Sequence, residues 1–183
     1  MYGLVNKAIY DMVCDRFGEE TWQKIKQKAE IGVDNFLSME PYPDDLTHRL
    51  VKAASEILGL SPGEIMQAFG EYWVQYTASH GYGDIMDMSS DNMTEFLENL
   101  DDLHARVGAN FPQLQPPSFE CSDQTEDSLN LHYHSTRKGL TPMVLGLLKG
   151  LGIRFNTQVD VNQIQSRENG ADSDVFSIKY KSN

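Results

Sequence analysis

The 183-residue sequence predicts one α+β domain, in which a helical N-terminal part packs against a small antiparallel sheet with an inserted buried helix. Up to about Arg106, apolar residues recur at spacings of three and four, which is the helical period. After Pro112 they alternate with polar residues, which is the strand period. We expect a single domain over 1–183, with a helical subdomain over about 1–60 and a sheet-containing part over about 61–183.

The N-terminal helices are predicted from their apolar stripes and from the residues that begin and end them. Ser61-Pro62-Gly63-Glu64 combines a capping serine, a proline at the first helical position and a glutamate three residues after the serine, which is a strong helix start. The other expected boundaries are a first helix ending at Gly18, a second from a Thr21 cap to Lys28, a third over 46–58 stopped by Gly59, and a fifth over 92–107 capped by Ser90 or Asp91.

The C-terminal part is predicted to be strands around one helix. The helix opens at Thr141-Pro142 and is apolar on nearly every side through Leu151, which indicates burial. The expected strands cover 118–121, 129–137, 154–161 and 175–181, with turns over 123–127 and 168–174.

The charge balance excludes some partners. Lys and Arg number 15 against 27 Asp and Glu, so the formal net charge is −12, and the chain repels nucleic-acid phosphates and anionic membranes. Its two cysteines, Cys14 and Cys121, are too few for a disulfide-stapled secreted domain. The charged N-terminal segment is unlike a signal peptide, so we expect a cytoplasmic protein with no membrane association.

His104 is the first candidate functional residue. It lies at +11 from Met93, on the helix face that carries Phe96, Leu100 and Val107. One interpretation is a core histidine bonded to a backbone carbonyl. The other is a lone axial ligand to a haem iron, which needs one imidazole in an apolar pocket. No second histidine or cysteine lies at zinc spacing.

Tyr133-x-Ser135-x-Arg137 is the second candidate. On a strand these residues share a face with Leu129 and Leu131, which indicates that the face points inward. Two hydroxyls and a guanidinium suit one or two carboxylates, although a polar outer face of the sheet is the alternative. A histidine ligand and an anion site support each other, because a haem carries both iron and two propionates.

The remaining polar residues favour structural interpretations. His132 and His134 are expected on a solvated sheet face, and His48 and His80 at the surface. Asp101 and Asp102 are expected as helix-surface charge. Cys121 is expected to be a small buried core residue.

Three segments carry a family resemblance. Asn99–Arg106, Pro116–Cys121 and Tyr133–Arg137 resemble the haem nitric oxide/oxygen binding (H-NOX) domains, which include the regulatory domain of soluble guanylate cyclase. Gly139–Gly152 and Gly70–Trp73 are similar to the stand-alone cyanobacterial members. The resemblance covers essentially the whole chain.

The resemblance implies a haem b held between the helical part and the sheet, with His104 as its proximal ligand. Tyr133, Ser135 and Arg137 would bind the propionates. The other residues implied around the haem are Pro117 against the macrocycle, and Trp73, Met143, Leu147 and Val5 in the distal pocket.

The resemblance also implies a sensor rather than an enzyme. Members that hold oxygen use a distal tyrosine, and 140–151 contains none, so we expect binding of NO and CO with discrimination against O₂. Whether Tyr2 or Tyr76 reaches the pocket stays open. NO would weaken the bond from iron to His104, and the output is expected to be a separate protein such as a histidine kinase or a cyclic-di-GMP enzyme.

Two other function classes remain as alternatives. A peroxidase-type haem enzyme needs a distal acid/base, usually a second histidine. A protein–protein module without a cofactor would be colourless when purified.

Overall fold

The computed structural model describes residues 1–111 and 113–182; Pro112, where the sequence pattern changes, lies outside the described residues. The helices are α1 (Gly3–Phe17), α2 (Glu19–Lys28), α3 (Asp44–Leu58), α4 (Pro62–Thr77), α5 (Gly83–Asp87), α6 (Met93–Glu98), α7 (Leu100–Gly108) and α8 (Thr141–Arg154). The strands are β1 (Ser118–Ser122), β2 (Ser128–His134), β3 (Thr157–Gln165) and β4 (Asp174–Ser182). A π-helical turn covers Ala78–Tyr82 and a 3₁₀ turn covers Arg167–Asn169.

The predicted fold class is confirmed. The four strands form one antiparallel sheet in the order β1-β2-β4-β3, and α8 enters the chain between β2 and β3. None of the described helices is long and apolar enough to cross a membrane.

Local signals fixed most helix ends. Gly59 stops α3 in the left-handed conformation (φ 68°), and Ser61 and Glu64 form the predicted capping box at the start of α4. The Thr21 cap is wrong: α2 starts at Glu19 after Gly18, and the Thr21 hydroxyl donates to the Phe17 carbonyl at 2.8 Å instead.

The single helix expected over 92–107 is also wrong, because the chain forms two helices that meet at Asn99 (φ −92°, ψ 5°). The Asn99 amide donates to the Ser89 carbonyl at 2.9 Å. The first of the two helices is capped by Asn92, whose side chain accepts from the Glu95 backbone N–H, rather than by Ser90 or Asp91.

The strand expected over 129–137 ends early, at His134. His134 pairs with Ser118, the first residue of β1, and Tyr133 pairs with Asp174, the first residue of β4. Beyond that point no described strand pairs with the chain, so Ser135 and Arg137 lie in an irregular bend. We call residues 133–137, which comprise the last two residues of β2 and the bend that follows them, the Tyr133–Arg137 turn.

Two hydrophobic cores divide the chain. The first joins buried residues of α1 to α4, and the second joins α6, α8 and the inner face of the sheet. Helix α4 belongs to both, since Phe69 packs in the first core and Val74 in the second. The first core therefore extends past residue 60, where the sequence placed the subdomain boundary.

Helices α4 and α8 cross at backbone contact. A Cβ atom on Gly146 would lie 1.9 Å from the Gln67 carbonyl oxygen, and one on Gly70 would lie 2.1 Å from the Met143 carbonyl oxygen. Only glycine fits at these two positions. The crossing fixes where both helices present their side chains.

Candidate functional site

An apolar cavity of about 330 Å³ lies between the two cores, within the size range of small-molecule sites. Side chains from α1, α4, α7, α8, β1 and β2 line it. Its walls include all nine residues singled out from the sequence, namely Val5, Trp73, His104, Pro117, Tyr133, Ser135, Arg137, Met143 and Leu147.

His104 reaches this cavity from α7, and it is the only histidine among the described lining residues. Its Nδ1 atom is shielded from solvent and has no hydrogen-bond partner among the described residues. Burial lowers the pKa of His104, while the Asp101 carboxylate and a polar contact from the Pro117 backbone act in the opposite direction. The lowered pKa favours the neutral form of the ring, which is the form that binds a metal.

Asp101 links the helix of His104 to β1. Its carboxylate accepts from the Ser118 hydroxyl at 2.7 Å and from the Phe119 backbone N–H at 3.0 Å. Asp101 is exposed on the helix, as expected, but it also makes these two hydrogen bonds, which the sequence did not predict. The sequence pattern could not predict these hydrogen bonds, because Asp101 is 17 and 18 residues away from its two partners in the sequence.

Tyr133 is 2% exposed and its ring lies 5.4 Å from that of Phe119, centroid to centroid. Burial raises the pKa of Tyr133, and a hydrogen bond with Ser135 acts against this. Leu129 and Leu131 are buried on the same face. The inward orientation expected for this face is what the structure has.

Arg137 finds its side-chain partners on distant segments of the chain. Its Nε donates to Asp44 at 2.8 Å, and its Nη1 donates to the Gln115 carbonyl at 2.7 Å. A guanidinium has five N–H donors, so the described contacts leave three for a bound anion. Asp44 also accepts from the Met1 amine.

Besides Tyr133, two further tyrosines supply hydroxyl groups at the described cavity wall. Tyr2 and Tyr82 line the wall, whereas Tyr76 packs in the first core. The Tyr2 hydroxyl accepts from the Gln113 backbone N–H at 2.9 Å. Burial raises the pKa of Tyr82. Tyr82 was not identified from the sequence as a residue of the cavity. Tyr82 is the last residue of the π-helical turn, and no local sequence pattern predicted that turn.

The other histidines lie elsewhere. His134, His48 and His80 are exposed, as expected, and Nε2 of His132 lies 2.8 Å from the Ser122 hydroxyl. Among the described residues, no group of three or more His, Cys, Asp or Glu could hold a metal ion. With one histidine at the described cavity wall, the peroxidase alternative has no support.

Cys121 is half-buried beside the second core rather than fully buried. Burial, with smaller contributions from nearby carboxylates, raises the pKa of its thiol to about 11. The thiol is therefore unreactive at neutral pH.

Together these features define a class: a domain with an apolar cavity that has one imidazole and one guanidinium at its described wall. The chain belongs to the Haem-NO-binding family, whose model matches residues 2–163. Members of this family are haem-based gas-sensor domains.

Soluble guanylate cyclase gcy-35 of Caenorhabditis elegans is 31% identical over 173 residues, which cover 92% of this chain and 25% of that protein. The chain spans a quarter or less of the length of the curated cyclases gcy-35, gcy-33 and gcy-31.

Two solved structures have the same fold. An H-NOX protein from Shewanella oneidensis in the Fe(II)NO ligation state superposes with a TM-score of 0.90 at 21% identity, over 100% of both chains. An unliganded Fe(II) H-NOX protein from K. algicida gives a TM-score of 0.86 at 22% identity, over 100% of this chain and 98% of that one.

Proposed function

We propose that this protein is a sensor of NO and CO that binds haem b through His104 and discriminates against O₂. The observation that carries the proposal is the His104 imidazole at the wall of an apolar cavity, with a buried Nδ1 that has no partner among the described residues. Bound haem would supply a ferrous iron with one position open to a diatomic gas. Domain organisation is proposed as a single unit over 1–183.

Different residues around the cavity would bind different parts of the haem. Arg137 keeps three N–H donors for the propionates, and Tyr133 and Ser135 add hydroxyls beside it. Pro117 would press on the macrocycle from the side of His104. Trp73 on α4, Met143 and Leu147 on α8, and Val5 on α1 would enclose the gas.

The proposed discrimination against O₂ is based on the apolar side chains that α8 contributes to the cavity wall. Met143 and Leu147 have no hydrogen-bond donor, and bound O₂ needs one to stabilise its partial negative charge, whereas NO and CO need little help. We expect the reduced protein to form no stable oxy complex in air once dithionite is removed. A stable oxy spectrum would refute this.

Two variants identify the donor if one exists. Met143→Tyr adds a hydroxyl on α8 and is expected to produce an oxy complex that the wild type lacks. Tyr82→Phe removes the cavity hydroxyl that sequence reasoning missed, and we expect no change in the response to air. An oxy complex in the wild type that disappears in Tyr82→Phe would assign the donor role to Tyr82.

For signalling we propose that α7 moves once its His104 ring is no longer held, and that Asp101 transmits the movement to β1. The receiver is proposed to be a histidine kinase or a cyclic-di-GMP enzyme. Cytoplasmic location is part of the same proposal. A pull-down with each partner class, with and without NO, tests it. Binding that is equal in both conditions would refute the switch.

Haem binding itself is tested by one spectrum. Protein expressed with added haem is expected to show a Soret band that disappears in His104→Gly and returns with imidazole. His134→Gly is the matched control, because His134 is an exposed histidine outside the cavity lining. A colourless wild type, or a band that His104→Gly leaves intact, would refute the proposal and favour a cofactor-free module.

A further inference from the structure

Arg167 grips the Tyr133–Arg137 turn from outside the cavity. It lies on the 3₁₀ turn between β3 and β4 and is absent from the cavity lining. Its Nη1 donates to the Ser135 carbonyl, and its Nη2 donates to the Arg137 carbonyl at 3.3 Å. Its Cζ also lies 5.5 Å from the centroid of the Tyr133 ring. One side chain therefore contacts all three members of the proposed anion site.

A buried carboxylate holds Arg167 in this position. The Asp174 side chain is 1% exposed and accepts from Arg167 Nε at 2.9 Å. It also accepts from the Arg167 backbone N–H at 3.1 Å, from Gln163 Nε2 at 3.0 Å and from the Thr141 hydroxyl at 3.3 Å. These hydrogen bonds compensate for the burial of the Asp174 charge. They also fix the orientation of the Arg167 guanidinium, whose paired N–H groups we call the Arg167 fork.

Residues 135–137 of this turn need the support because, within the described part of the chain, they have no paired strand. Both strands that pair with β2 start opposite Tyr133 or His134, so the carbonyls of Ser135 and Arg137 have no ladder partner. Their bonds to Arg167 replace the ladder. With its carbonyl bound on that side, Arg137 directs its guanidinium toward Asp44 and the cavity.

We propose that Arg167, held by Asp174, is a positioning residue for the anion site of the cavity. It fixes the backbone from which Tyr133, Ser135 and Arg137 project, and it does not itself touch the bound group. This inference rests on the proposed function only in identifying the anion as the pair of haem propionates.

The first test measures the turn directly. Arg167→Gln removes the fork, and Arg167→Lys keeps the charge but not the paired N–H groups. The Arg137 backbone N–H donates to the Ser135 hydroxyl at 3.1 Å, a contact that depends on the shape of the turn. In the full chain, with or without haem, this amide is expected to exchange its hydrogen about tenfold faster in Arg167→Gln, with strand amides of β2 unchanged. Lys181→Gln removes one exposed positive charge as a control and should change nothing. Unchanged exchange at Arg137 would overturn the proposal.

The second test measures haem release to apomyoglobin. Arg167→Gln and Arg137→Gln are each expected to accelerate release, and the double variant should release no faster than Arg137→Gln alone. With haem whose propionates are methyl esters, the effect of Arg167→Gln should disappear. Equal acceleration for haem and its ester, or additive effects in the double variant, would show general loosening and overturn the proposal.

The two tests separate this inference from the proposed function. If the wild type takes up no haem, the proposed function fails, while amide exchange still decides whether Arg167 holds the turn. If Arg167→Gln does not fold, Arg167→Lys carries the same comparison. Exchange at Arg137 in that variant must then exceed the wild-type rate, and a wild-type rate refutes the role.

Discussion

Among glycine-to-alanine substitutions at the α4–α8 crossing, Gly146→Ala should lower the stability of the fold most. The new Cβ would lie 1.9 Å from the Gln67 carbonyl oxygen, 2.8 Å from its carbonyl carbon and 2.9 Å from the Glu71 nitrogen. Ordinary contact starts near 3.4 Å, so the helices must separate by about 1.5 Å. All three obstructing atoms are backbone, and none can rotate away.

The expected cost is at the upper end of the range for overpacking, about 3 kcal/mol. For a domain of this size that corresponds to a fall in Tm of roughly 6–12 °C, measured by circular dichroism. Gly63→Ala is the control on α4, because its Cβ would meet nothing closer than Pro142 at 3.7 Å. We expect that control to be neutral or more stable by up to about 1 kcal/mol. A Tm for Gly146→Ala within 2 °C of the wild type would refute the steric reasoning.

Three further predictions concern single contacts. Asp101→Asn should lower the pKa of His104 further, because the Asp101 carboxylate raises it, and NMR titration of the haem-free chain would contradict this if the pKa rose. Asp44→Asn tests an ion pair: burial raises the pKa of Asp44, but hydrogen bonds from the Met1 amine and Arg137 bring it below its usual 3.8. The stability that Asp44 adds is thus present above about pH 4 and lost as the pH falls through the lowered value. The urea midpoints of wild type and Asp44→Asn should therefore converge as the pH falls below about 4. The exposed-site control Asp172→Asn should show no such convergence with the wild type, and a constant gap for Asp44→Asn would contradict the ion pair. Ser61→Ala should cost about 1 kcal/mol through loss of the capping box, and an unchanged urea midpoint would mean that the cap is dispensable.

Features encoded within a few residues were predictable. The capping box at Ser61 and the stop at Gly59 each depend on one local pattern, and the strand alternation around Leu131 needs only its period. His104 was also accessible, because its helix face stays apolar on both sides of the break at Asn99. Such signals survive without knowledge of the tertiary structure.

Features that depend on distant chain segments were not predictable. The end of β2 is set by where β1 and β4 begin, and no residue near Arg137 marks it. The partner of Arg137 is Asp44, 93 residues away, and the Arg167 fork comes from a turn 30 to 32 residues downstream. A sequence shows that a buried arginine needs a counter-charge but not which acid supplies it.

The residues that line the cavity are far apart in the sequence, so the walls of the cavity are synthesised one after another. Residues from Met1 to Leu151 contribute to one wall or another, and Leu151 is made 47 residues after His104. At about 5–20 residues per second, the imidazole waits roughly 2–10 s for α8 to be made. The buried residues of the first core all lie at or before Tyr76, whereas Leu140 and Met143, which pack against it, come later in the chain. Until α8 is made, the cavity therefore lacks the wall that Met143, Leu147 and Leu151 supply.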